Sequence, residues 1–82
     1  MNWNRPLAHP VGYIKPKVGM LNTLADARAY AIKRNPAVSE RAWQHAMTLM
    51  LEAAEDGEVE AVTKQLIFAL ILDGALDLKR TP

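Results

Sequence analysis

The chain predicts an α+β domain: a two-stranded N-terminal β-hairpin followed by three α-helices. Three observations carry that reading. Two short β-type segments flank a lysine–proline connector, a helix-capping sequence follows the second of them, and apolar residues then recur at helical spacing with breaks at Pro36, Gly57 and Asp73-Gly74. At 82 residues the chain supplies one domain, residues 1–82, because so short a chain cannot fill a second core.

The hairpin spans about residues 7–21. Val11-Gly-Tyr-Ile14 and Val18-Gly-Met-Leu21 repeat one pattern across Lys15-Pro16-Lys17, a connector with φ fixed at its proline. Gly12 and Gly19 weaken both strands, and Pro10 and Pro16 confine the pair to sheet edges, so the hairpin has to lean on helices or on another copy of itself.

Helix 1 is expected over about 24–35. Thr23-Leu-Ala-Asp26 is a capping-box variant, in which the hydroxyl and the acid each take a free backbone N–H, and Pro36 disfavours a helical residue before it. Helix 2 is expected over 39–56, capped by Ser39 or, alternatively, by Asn35 and Pro36. Gly57 suits a left-handed C-terminal cap. At about 100° per residue Trp43, Met47, Met50 and Ala54 share one face, which assigns both methionines to the core, while His45 falls among Arg41, Thr48 and Glu52 on the polar side.

Helix 3 is expected over 58–73, with Glu58 and Glu60 at its positive end and Asp73-Gly74 as its stop. Val59, Val62, Leu66, Ala69 and Leu70 form its inward stripe. A second apolar stripe, Ile67, Phe68 and Ile71, lies on roughly the opposite side. Thirteen of the 41 apolar residues are alanine, so the core is thin and cannot surround an all-apolar helix. Ile67, Phe68 and Ile71 are therefore candidate self-association residues of a homodimer or larger homo-oligomer. The competing cover is the chain's own hairpin, with Tyr13, Ile14 and Met20 laid over Phe68. Ala75-Leu76-Asp-Leu78 can add a short strand or pack loosely, and the tail 77–82 is expected to fray.

Composition removes several chemistries. Without cysteine there is no disulfide, thiolate nucleophile, iron–sulfur cluster or thiolate zinc site. His9 and His45 are far apart in sequence and no H-x-x-x-H is present, while the acids Glu52, Glu55, Asp56, Glu58 and Glu60 lack the alternation of a calcium loop, so no metal site is expected. The only serine, Ser39, fits a helix cap, no G-x-S-x-G elbow occurs, and the four glycines are too scattered for a phosphate cradle. No catalytic residue and no cofactor are expected.

The amino terminus lacks the apolar core of a signal peptide, and the longest apolar run, Leu66 to Leu72, is far short of a membrane span. The chain is read as cytoplasmic, with no membrane partner. Net charge is +1, but residues 1–41 carry seven Lys/Arg against two Asp/Glu, and residues 42–82 carry three against seven. Arg5, Lys15, Lys17, Lys33 and Arg34 form the candidate basic surface, with Trp3 and Tyr13 available to stack on bases. Nucleic-acid binding is the alternative that this half supports, against the repulsion of phosphate by the acidic half.

Taken along its length from Trp3 to about Leu76, the chain resembles a family of short bacterial proteins, domain-of-unknown-function family 982. The resemblance rests on an aromatic followed by Arg5-Pro6-Leu7, on Thr23-Leu-Ala-Asp-Ala27 opening a helix closed by Pro36, and on a second helix ending Glu55-Asp-Gly57. Leu66-Ile-Phe-Ala-Leu70 and Asp73-Gly-Ala-Leu76 complete it. The family often has Trp-Pro where this chain has Asn35-Pro36, and often a cysteine in the second helix, which this chain lacks. The resemblance implies a compact α+β domain with an N-terminal hairpin and supplies no activity or ligand. The functional expectation is a small, non-catalytic, self-associating interaction or regulatory protein; the alternatives are a nucleic-acid-binding accessory protein and an enzyme of a type its motifs do not reveal.

Overall fold

A computed structural model of the chain describes residues 2–15, 17–33 and 40–81. Its elements are β1 (Pro6–Tyr13), β2 (Gly19–Thr23), α1 (Leu24–Lys33), α2 (Glu40–Glu55) and α3 (Val59–Leu72). The expected α+β order of one hairpin and three helices is therefore present. The expected end of helix 1 at Asn35, the alternative caps of helix 2 and the turn proline Pro16 lie outside the described residues.

The strands pair antiparallel with Val11 opposite Leu21, Gly12 opposite Met20 and Tyr13 opposite Gly19, and the register slips between Pro6 and Val11. Ala8 and Gly12 turn their N–H groups to the outer edge of β1, where they donate to the hydroxyls of Thr63 (3.0 Å) and Thr81 (2.9 Å). Pro10 lies in the stretch between Pro6 and Val11 where the register slips and has no partner on β2, so its missing N–H removes no bond from the ladder.

The tail is docked, not frayed. Ile14 N–H donates to Ala75 O (2.9 Å), Asp77 N–H donates to Gly12 O (3.0 Å), and Leu76 bridges to Tyr13, so residues 75–81 run along the outer edge of β1. Gly12 permits this approach: a Cβ there would stand 3.0 Å from Cβ of Arg80 and 3.2 Å from that of Asp77. The Thr81 hydroxyl, besides accepting from Gly12, donates to Asp77 O (2.8 Å) and closes the tail on itself. A strand edge that would template another chain is thereby covered.

The capping box opens α1 as expected. Asp26 N–H donates to Thr23 Oγ1 (3.2 Å), and Asp26 Oδ2 accepts from the N–H groups of Asn22 (2.9 Å) and Thr23 (3.2 Å). Helix α3 ends in a Schellman motif: Gly74, at φ 65°, follows the helix, Ala75 N–H donates to Leu70 O (2.8 Å) and Gly74 N–H to Ile71 O (3.0 Å). Gly57 differs from expectation, since Gly74 is the only described residue with positive φ. Its N–H donates to Glu52 O (2.7 Å), and a Cβ at Gly57 would meet the Glu52 carbonyl at 2.9 Å. Close approach to the last turn of α2, and not a left-handed backbone, is what requires glycine there.

Helix α3 packs on β1 and α2, and α1 packs on β2 and α2. The core between them joins Leu7, Val11 and Leu21 of the sheet to Leu24, Trp43, Met50, Leu66 and Leu70 of the helices. Met47 lies at its margin, half-buried, where the sequence placed it inside with Met50. The buried face of α2 comprises Ala42, Trp43, Ala46, Met50, Ala53 and Ala54, so Met47 alone of the expected stripe sits at its edge. Among the described residues no helix is long and apolar enough to cross a membrane.

Candidate functional site

The residues of the candidate basic surface do not come together. Arg5, in the segment before β1, is partly buried and donates from its guanidinium to the carbonyls of Ala53 and Gly57, the latter at 2.8 Å. Ala53 belongs to the last turn of α2, whose carbonyls have no intrahelical donors and where the helix dipole is negative, and Gly57 lies two residues beyond that helix. Arg5 is thus a helix cap reaching 48 and 52 residues along the chain. Lys15 lies beside the end of α3, its Nζ 3.7 Å from the position of a Cβ on Gly74. Arg34 lies outside the described residues. Lys17 and Lys33 remain, and they line one groove.

That groove has a volume of about 310 Å³ and lies between the hairpin and α1. Tyr13 comes from β1, Met20 and Leu21 from β2, and Asp26, Ala29, Tyr30 and Lys33 from α1. The α1 residues meet there because positions three, four and seven apart share a helix face. Leu21 is buried and Tyr13, Met20 and Tyr30 are half-buried, which gives an apolar floor, whereas Lys17 and Lys33 are exposed at its rim.

The aromatic wall is fixed. Tyr13 and Tyr30 have ring centroids 4.5 Å apart at an interplanar angle of 53°, and Tyr30 lies 5.5 Å from Trp43. Tyr30 also donates its hydroxyl to Lys15 O (2.7 Å), and the buried Trp43 donates Nε1–H to Asp73 Oδ2 (2.8 Å). The Tyr13 ring lies directly over Gly19, where no side chain would fit beneath it. Sequence reading singled out Tyr13 for stacking but passed over Tyr30. The available signal was the Asp26, Ala29, Tyr30, Lys33 spacing on one face of α1.

The outer face of α3 is the second feature. Phe68 is 51% exposed, Ile71 56% and Leu72 47%, whereas Ile67 turns partly inward against the core. Leu72 thus joins Phe68 and Ile71 on the exposed face, and Ile67 does not. Of the hairpin residues expected as an alternative cover, Tyr13 and Met20 line the groove against α1 instead, and Phe68 keeps half its surface open.

Reactive groups are dispersed. His9 is half-buried on β1 with Nδ1 3.0 Å from Pro10 O, and His45 is exposed on α2. Among the described residues no three His, Cys, Asp or Glu side chains are grouped to hold a metal ion. Ser39 lies outside those residues. The class defined by the structure is a small α+β domain with one edge of its hairpin sealed by its own tail. No family model, curated protein or solved structure matches the chain, so the resemblance to family 982 rests on its quoted residues alone.

Proposed function

We propose that this chain is a small non-catalytic interaction protein that self-associates through the outer face of α3. The observation that carries the reading is the exposure of Phe68, Ile71 and Leu72 on one helix face. A second copy is the occupant that this face fits. A symmetric contact meets like with like and needs no further evolved partner surface. The dispersal of Arg5 and Lys15 to helix ends favours this reading over nucleic-acid binding, which needs basic groups along one continuous path.

Phe68→Glu tests it. The side chain is half-exposed in the single chain, so a carboxylate there leaves the core intact and opposes only a contact between copies. Sedimentation should give an associated wild type and a monomeric variant, with circular dichroism showing both folded. A variant that associates as the wild type does would overturn the proposal.

A further inference from the structure

We propose that the groove between the hairpin and α1 binds a small aromatic anion, an aryl carboxylate or aryl phosphate ester. Its ring lies against Tyr13, Met20 and Tyr30, and its anionic group lies between Lys17 and Lys33. The volume of about 310 Å³ is at the lower end of the range for small-molecule sites, which sets the ligand at one ring with a short substituent.

Charge decides the sign of the ligand. Neither Lys17 nor Lys33 makes an ion pair among the described residues, whereas Arg5 is bound near the end of α2 and Lys15 does not line the groove. Asp26 is the one carboxylate in the lining, and its Oδ2 accepts from two backbone N–H groups at the start of α1. Two unpaired ammonium groups therefore face a carboxylate already partly satisfied, and an anion is attracted where a cation is repelled.

Aromatic character follows from the floor. Two tyrosine rings and a thioether give a planar ring stacking and sulfur contacts that a branched aliphatic group does not obtain. The tilted ring contacts of the Tyr13–Tyr30–Trp43 series and the hydrogen bond from Tyr30 to Lys15 O hold this wall in place before a ligand arrives, which lowers the ordering cost of binding. The groove is distinct from the outer face of α3, so binding here and self-association there are tested separately.

The test is an amide chemical-shift titration of the full chain with phenyl phosphate, benzoate, benzyl alcohol, benzylamine and inorganic phosphate. Phenyl phosphate or benzoate should saturate in the millimolar range with shifts centred on Gly19, Met20, Ala29 and Tyr30. Tighter binding of the first would identify a phosphate ester, and tighter binding of the second a carboxylate; both support the proposal. Lys17→Gln and Lys33→Gln should each weaken binding by about fivefold, the effect of losing one partly exposed charge contact. Both positions are exposed, so the fold is retained and circular dichroism confirms it. Equal binding of benzylamine, inorganic phosphate binding as well as phenyl phosphate, or no saturable shift with either aryl anion would overturn the proposal.

Discussion

Replacing Arg5 with alanine should destabilise the domain by about 2–3 kcal/mol. A hydrogen bond from a charged donor contributes about 1.5–3 kcal/mol when shielded from water, and Arg5 makes two, to Ala53 O and Gly57 O. Its partial exposure roughly halves each contribution. Against that, Ala53 is buried, so its carbonyl, left without the guanidinium, is poorly rehydrated. Arg5→Lys should lose about 1 kcal/mol less than Arg5→Ala, because an ammonium keeps the charge near the negative end of α2 but cannot fork across two carbonyls. Urea unfolding followed by circular dichroism measures both, at one protein concentration so that association does not contribute to the difference. A shift of under about 0.5 kcal/mol for Arg5→Ala, the range of ordinary surface changes, would refute the capping role and return Arg5 to the surface. Arg5→Ala should also leave phenyl phosphate affinity unchanged under conditions where the variant remains folded, since Arg5 does not line the groove.

The same unfolding measurement separates the residues of α2. Met50→Ala should cost about 2–5 kcal/mol, Met47→Ala at the margin about half as much, and the exposed His45→Ala less than about 0.5 kcal/mol; equal costs for Met50 and His45 would mean that the helix is rotated. Thr81→Val removes the acceptor of Gly12 N–H and should cost about 1 kcal/mol while raising amide exchange at Gly12, and unchanged exchange there would contradict docking of the tail.

What was legible in the sequence was local. Thr23 and Asp26 are three residues apart and announce their own hydrogen bonds, and Asp73-Gly74 carries its stop in two residues. The outer stripe of α3 was legible because helical spacing alone separates Phe68 and Ile71 from Leu66 and Leu70. What was not legible depends on contacts across the chain. Arg5 read as surface because its two acceptors lie about fifty residues away and are backbone atoms, which have no sequence signature. On α2, Trp43, Met50 and Ala54 are buried as their helical spacing predicts, and Met47 alone of that stripe lies at the margin, a difference that depends on which neighbouring helix comes close. Thr63 carries no signal in the sequence, yet it is buried, with its hydroxyl donating to Val59 O (2.8 Å) and accepting from Ala8 N–H. The groove combines residues of three elements and so appears in no single stretch. For Ala75 to Leu78 the sequence left a short strand and loose packing open, and the end of the tail read as frayed, because its partners, Gly12 and Ile14, are more than sixty residues earlier.

The measurement that tests self-association most directly is sedimentation velocity of the unmodified chain over about a hundredfold range of concentration, into the high micromolar, where mass action favours any pair of modest affinity. Phe68 has roughly 100 Å² of open surface if half of a typical aromatic contact area is free, or about 2.5 kcal/mol per copy on burial, and Ile71 and Leu72 add to it. The expected result is a sedimentation coefficient that rises with concentration to the value for two chains of 9.1 kDa. A single boundary at the mass of one chain throughout the range would contradict self-association through α3.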